Sequence, residues 1–186
     1  MEFLLPGTAV RAQIGPGQPA EALLAPLFLA GGLMLSQVAS LTGLPPHVIQ
    51  NWVKRGYVSP PVNKRYTRRQ FCRVALINML RDSMQLEKIT RLLSYVNGHL
   101  DDEADDLIDD YELYCAFVQL ALRARSGVPD EAQALKSWCE QAVAAYRPVQ
   151  EGARERVVQA LEVMLVAHAA AQLKARADHL LAALDG

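Results

Sequence analysis

The sequence predicts a mainly all-α protein: a small helix-turn-helix head, then a helical bundle with a long last helix. Three observations predict it. Capping residues, prolines and glycines mark off two short helices between Ser36 and Gly56. Apolar residues then recur at helical spacing from Phe71 to Val96. Finally, Pro148 to Leu184 reads as one helix, ~55 Å long at the usual rise per residue.

Taken in order, residues 1–32 read as a flexible leader rich in glycine and proline, followed by a short apolar helix over 21–30 that stops at Gly31-Gly32. Ser36 is the expected N-cap of a helix ending at Gly43. Pro45 and Pro46 open the next, over 46–55, where a missing N–H does little harm. Residues 57–65 read as extended strands around a turn at Asn63-Lys64. Thr67 and Gln70 have capping-box spacing for a helix through Leu80, and Leu86, Ile89, Leu92, Leu93 and Val96 mark another. After Gly98 the composition turns acidic, with helices expected over 104–125 and 130–146 before the last one. This gives three units: 1–32, a head over 33–98, and an acidic helical region over 99–186.

The chain has 186 residues, half of them hydrophobic, so it can build a core without disulfide or metal. Cys72, Cys115 and Cys139 are odd in number and widely spaced, which fits reduced thiols and a cytoplasmic protein. The apolar run from Ala22 to Leu35 is too short and too interrupted to span a bilayer, so no membrane partner is expected. Net charge is −1, but it is unevenly spread. No Asp or Glu occurs from Ala22 to Arg81; residues 33–98 hold ten basic and two acidic side chains, the rest nine basic and eighteen acidic. Such a split marks a basic working surface on an acidic carrier.

On the helix at 46–55, His47, Gln50, Asn51 and Lys54 share one face, while Val48, Ile49, Trp52 and Val53 form the other. Amides can bond bidentately to an adenine edge in the major groove, and Lys reaches guanine or phosphate. Arg55, then Lys64, Arg65 and Tyr66, then Arg68 and Arg69 add a basic wing over 57–69. Cations at a helix start oppose its dipole, so Arg68 and Arg69 make sense beside a phosphate backbone. The expected partner is double-stranded DNA.

Leu35-Ser36-Gln37-Val38-Ala39, Thr42-Gly43, Ile49 to Gly56, Lys64-Arg65-Tyr66-Thr67 and Leu86-Glu87-Lys88-Ile89 resemble the MerR group of bacterial transcription regulators. The resemblance implies a winged helix-turn-helix head and sequence-specific DNA binding. Ile49 to Gly56 and Leu76 to Asp82 are still more similar to a bacterial domain-of-unknown-function family with a MerR-like head. Gln50, Asn51 and Trp52 stand where MerR proteins have an Arg-Tyr-Tyr run, and Lys64 replaces the wing arginine, so those contacts do not carry over.

In the acidic half, Val157, Leu161, Leu165, Leu173 and Leu180 form one expected stripe of the last helix, with Val158, Val163 and Val166 off it. A helix apolar nearly all round needs cover on more than one side, and a homodimer would supply it. Asp105 and Asp106 are expected near a helix start, and the acidic run at 101–112 could hold the basic head when DNA is absent. No metal or cofactor set is recognisable: Cys115 and Cys139 fall on different helices, and His168 and His179 do not complete a site. No catalytic constellation stands out, so a non-enzymatic regulator is expected. The alternative is a protein-interaction module whose basic face meets an acidic partner.

Overall fold

Helix α4 (Arg68–Leu80) organises the molecule, because nearly every one of its residues is buried. A helix apolar all round must be covered all round. The computed structural model, which describes residues 2–13, 19–100 and 102–184, shows what covers it.

The first cover is an N-terminal hairpin, β1 (Glu2–Leu4) paired antiparallel with β2 (Arg11–Gln13). Leu5 and Thr8 are buried beneath it. A Cβ on Gly7 would lie 2.0 Å from the Ala75 carbonyl oxygen, so only glycine fits there, at φ +70°. The Asn78 amide donates to the Gly7 carbonyl at 2.9 Å, and the Tyr114 hydroxyl to that of Pro6 at 2.8 Å. The expected flexible leader is therefore a docked hairpin over 2–13. Gly15, Pro16 and Gly17 lie outside the described residues. The helix expected over 21–30 is a single turn, α1 (Glu21–Leu24), continued as a 3-10 turn over Ala25–Phe28.

Next come β3 (Leu33–Met34), α2 (Leu35–Thr42) and α3 (Pro46–Lys54). Met34, not Ser36, caps α2, and its N–H donates to the Gln37 side chain at 2.8 Å. Helix α2 ends at Gly43 in the left-handed region, φ 71°, and Pro46 opens α3. Strand β4 (Arg65–Tyr66) pairs antiparallel with β3, Leu33 facing Tyr66 and Met34 facing Arg65. The sequence places both strands within 57–65; the partner that β4 takes is Leu33–Met34, far upstream in the apolar run. A Val62–Arg65 bridge closes the turn, with Asn63 and Lys64 both at positive φ (49° and 64°). That is the backbone sense that suits the twist of paired strands.

The Thr67–Gln70 capping box forms as expected. The Gln70 amide also donates to the Pro60 carbonyl at 2.7 Å, pinning the 57–62 loop to the start of α4. Helix α5 (Leu86–Asn97) follows, then α6 (Asp110–Arg123), α7 (Ala132–Ala142) and α8 (Ala153–Ala182). Helix α6 starts later than expected because Asp109, accepting from the N–H groups of Tyr111 and Glu112, is its cap.

Helix α6 lies directly on α4, and α8 crosses α4, α5, α6 and α7. One buried cluster runs from Leu5 to Leu165. The break expected between residues 98 and 99 is a change of composition and not of packing: Leu113, Tyr114, Phe117 and Val118 of α6 share the core with α4. The expected stripe on α8 also divides. Val157, Val158, Leu161, Met164 and Leu165 are buried, whereas Val163, Val166, Leu173 and Leu180 are exposed. Among the described residues, no helix is long and apolar enough to cross a membrane.

Candidate nucleic-acid interface

Helix α3 is pinned by Ile49 and Trp52, both buried. With those two facing the core, helical geometry turns the other side outward. His47, Gln50, Asn51 and Lys54 are all exposed there, a row of donors and acceptors with the amides at its centre. Arg55, the C-cap residue, stacks on the Tyr57 ring at 4.9 Å and pairs with Glu87 of α5 at 3.4 Å, a contact open to solvent.

The 62–66 turn presents Lys64 and Arg65 to solvent, and the Arg65 guanidinium donates to the Gly32 carbonyl at 3.0 Å. This ties the turn to the segment entering β3. Period-two alternation on β4 sends the next residue inward: Tyr66 is 2% exposed. Its expected role as a binding residue is corrected, since its ring is core and burial raises its hydroxyl pKa. Arg68 remains exposed, with its guanidinium 4.7 Å from the centre of the Tyr111 ring.

Arg69 departs further from expectation. Its side chain is 15% exposed and reaches Asp106 at 2.7 Å, with Asp110 at 3.9 Å. One helical turn on, Arg73 is almost fully buried, donating to Asp110 at 3.2 Å and to the Tyr57 carbonyl at 3.3 Å. The counter-charge for Arg69 at the start of α4 is thus a carboxylate of the same chain. Burial pushes the Asp110 carboxyl up from the usual aspartate value, opposed by Arg73 and Arg69. Asp105 is likewise no helix-start charge: it accepts from the His99 backbone and ring, which hold its carboxyl below the usual range. Arg73 is the residue the sequence reading passed over, yet a signal existed. Arg69 and Arg73 are four apart, as are Asp106 and Asp110.

Cys72, Cys115 and Cys139 are all buried and unpaired with one another. Desolvation pushes the thiols of Cys115 and Cys139 up to about 12, which disfavours a thiolate. Among the described residues, no three His, Cys, Asp or Glu side chains gather as a metal set. His168 packs edge-on against Phe117, ring centres 5.5 Å apart, and burial lowers its pKa.

The assembled surface is the outer face of α3 plus the exposed cations of the turn and of the start of α4. Residues 32–117 match the family described as a domain of unknown function (DUF1836). The matched stretch starts just before β3 and ends inside α6, so it contains this surface together with the Arg69–Asp106 and Arg73–Asp110 pairs. Neither the curated proteins nor the solved structures contain a match to the chain.

Proposed function

We propose that the protein is a sequence-specific DNA-binding protein, a transcription regulator without enzymatic activity, whose α3 enters the major groove. The observation that carries this reading is the exposed row His47, Gln50, Asn51 and Lys54 on a helix whose opposite face is locked into the core. Amides held on a rigid helix suit base edges, because each can donate and accept at once. The short turn between α2 and α3, and the β3–β4 pair with its Asn63-Lys64 turn, support a winged helix-turn-helix of MerR-like type for 33–98.

Lys64, Arg65 and Arg68 then serve the phosphate backbone, and Lys54 and Arg55 the edge of the groove. Arg69 is left out of this set, because its charge is already met by Asp106. This reading implies a cytoplasmic location, where buried and unpaired thiols such as Cys72, Cys115 and Cys139 stay reduced.

The test is selection of bound duplexes from a random pool, followed by affinity measurements on the best site across a salt series. A preferred site, with log affinity falling steeply and linearly with log salt, is expected. Equal affinity for all duplexes would overturn base reading by α3, and no binding at low salt would overturn the DNA assignment.

A further inference from the structure

Between the N-terminal hairpin and α8 lies a cleft of about 360 Å3, at the small end of the range for small-molecule sites. Four parts of the chain wall it. Gly7 and Thr8 come from the hairpin turn, Thr42 to Leu44 from the turn between α2 and α3, and Asn78, Arg81 and Asp82 from the end of α4. The fourth wall is a stripe of α8, His168, Gln172 and Ala175, at helical spacing. These walls are fastened to one another. The Ala9 N–H donates to the Leu41 carbonyl at 2.8 Å, and the Asn78 amide bridges the carbonyls of Gly7 and Thr42 at 2.9 and 3.1 Å.

The lining asks for two opposite charges on one small molecule. Arg81 and Asp82 are exposed neighbours of opposite sign, and among the described residues neither has an ion-pair partner. Asn78 has spent both amide hydrogens on carbonyls, so its oxygen remains an acceptor. Leu44 and Met79 are buried and apolar, with Ala171 across from them on α8. A fitting ligand brings an anion for Arg81, a donor cation for Asp82 and the Asn78 oxygen, and a small apolar remainder.

We propose that this cleft binds a free α-amino acid, with its carboxylate on Arg81 and its ammonium on Asp82. A carboxylate accepts two parallel bonds from a guanidinium, and an ammonium has hydrogens enough for both acceptors. A simple organic acid would meet the Asp82 carboxylate, and a simple amine the Arg81 guanidinium; the zwitterion avoids both like-charge contacts. One wall is the turn that sets how α3 leaves α2. A ligand bridging that turn to α4 and α8 favours one angle of α3, by as much as its affinity differs between angles. The binding stands apart from the DNA reading; only this linkage to α3 rests on it.

The test is isothermal calorimetry of the full chain against the standard amino acids one at a time. Any that binds is then compared with its des-amino acid and its decarboxylated amine. Saturable binding of at least one amino acid is expected, and of neither analogue. Arg81→Met and Asp82→Asn should each weaken it about tenfold or more, with an unchanged unfolding temperature, because both side chains are exposed. Ala175→Phe fills the cleft from the α8 wall without touching either charge, and should abolish binding. No saturable binding by any amino acid, equal binding by an analogue, or an Ala175→Phe variant that binds like the parent overturns the proposal. The linkage is read by adding saturating amino acid to the duplex-binding measurement, where affinity should change about fivefold or more. Unchanged affinity overturns the linkage. A parent that binds the amino acid but no duplex overturns the DNA reading and upholds the site.

Discussion

Lys54, Lys64, Arg65 and Arg68 keep their charged ends in solvent, whereas Arg69 and Arg73, close by in the chain, turn inward to Asp106 and Asp110. Composition treats all six alike, as members of an acid-free basic stretch. Helix geometry separates them. Arg69 and Arg73 are one turn apart and share the face of α4 that meets α6, while Arg68 is rotated about 100° away. The acids that meet the inward pair lie 37 residues along the chain, so scanning the neighbourhood of each arginine finds no partner. A local excess of one charge thus reports that counter-charges are elsewhere, and elsewhere includes a later segment of the same chain, the start of α6 and the loop before it.

The sharpest way to break this comparison is to remove an inward partner. Asp110→Ala leaves Arg73 buried without its carboxylate, and a loss of about 3–5 kcal/mol in urea unfolding is expected. Replacing the pair together, Arg73→Met with Asp110→Leu, should cost far less, since no charge is stranded. If the single and double variants unfold alike, the inward pair is not acting as a pair.

The outward set should behave in the opposite way. Gln50→Ala or Asn51→Ala should lose about 1–3 kcal/mol of binding at the preferred duplex and little on random DNA, with stability unchanged. Competition binding against both duplexes checks this. Arg68→Ala and Arg69→Ala, adjacent in sequence, give the finest discrimination. The first should lower the salt slope of DNA binding by about one unit and leave unfolding untouched. The second should lower stability and leave the slope as it was; the reverse result would put Arg69 on the surface.

The smallest expected effect concerns pH. Burial lowers the His168 pKa below its ordinary 6.5, so the unfolded chain binds that proton more readily. The stability linked to neutral His168 is complete above the ordinary value and declines as pH falls from there toward the lowered one. In His168→Gln this part of the decline should vanish from a series of unfolding curves through the mildly acidic range.

What the sequence disclosed follows the same division between local and distant causes. The α2–α3 unit, the Thr67–Gln70 box and the outward row on α3 depend on residues a turn or two apart, and they were legible. The pairing of Leu33-Met34 with Arg65-Tyr66 was not, because two residues within an apolar run carry no alternation to read. Tyr66 beside Arg65 looked like an aromatic in a basic turn; only the strand pairing decides which faces out. The hairpin at 2–13 is not legible in the sequence, because glycine and proline mark turns without saying whether the turn is docked, and Gly7 is there for contact with Ala75. On α8 the apolar residues are all visible, but their partition between core and exposed side requires the path of the helix.

The hairpin's anchors also constrain the order of events during synthesis. Pro6 and Gly7 leave the ribosome well before the donors for their carbonyls, Tyr114 and Asn78, which come 108 and 71 residues later. Closing loops of that length is slow compared with forming a helix. Leu5 and Thr8 therefore wait, uncovered, until most of the matched domain has emerged, and the nascent head is exposed to chaperones and proteases at this hairpin. Stalled chains ending before α6 should accordingly be cleaved within 2–13 under limited proteolysis, and chains released after Arg123 has emerged should not.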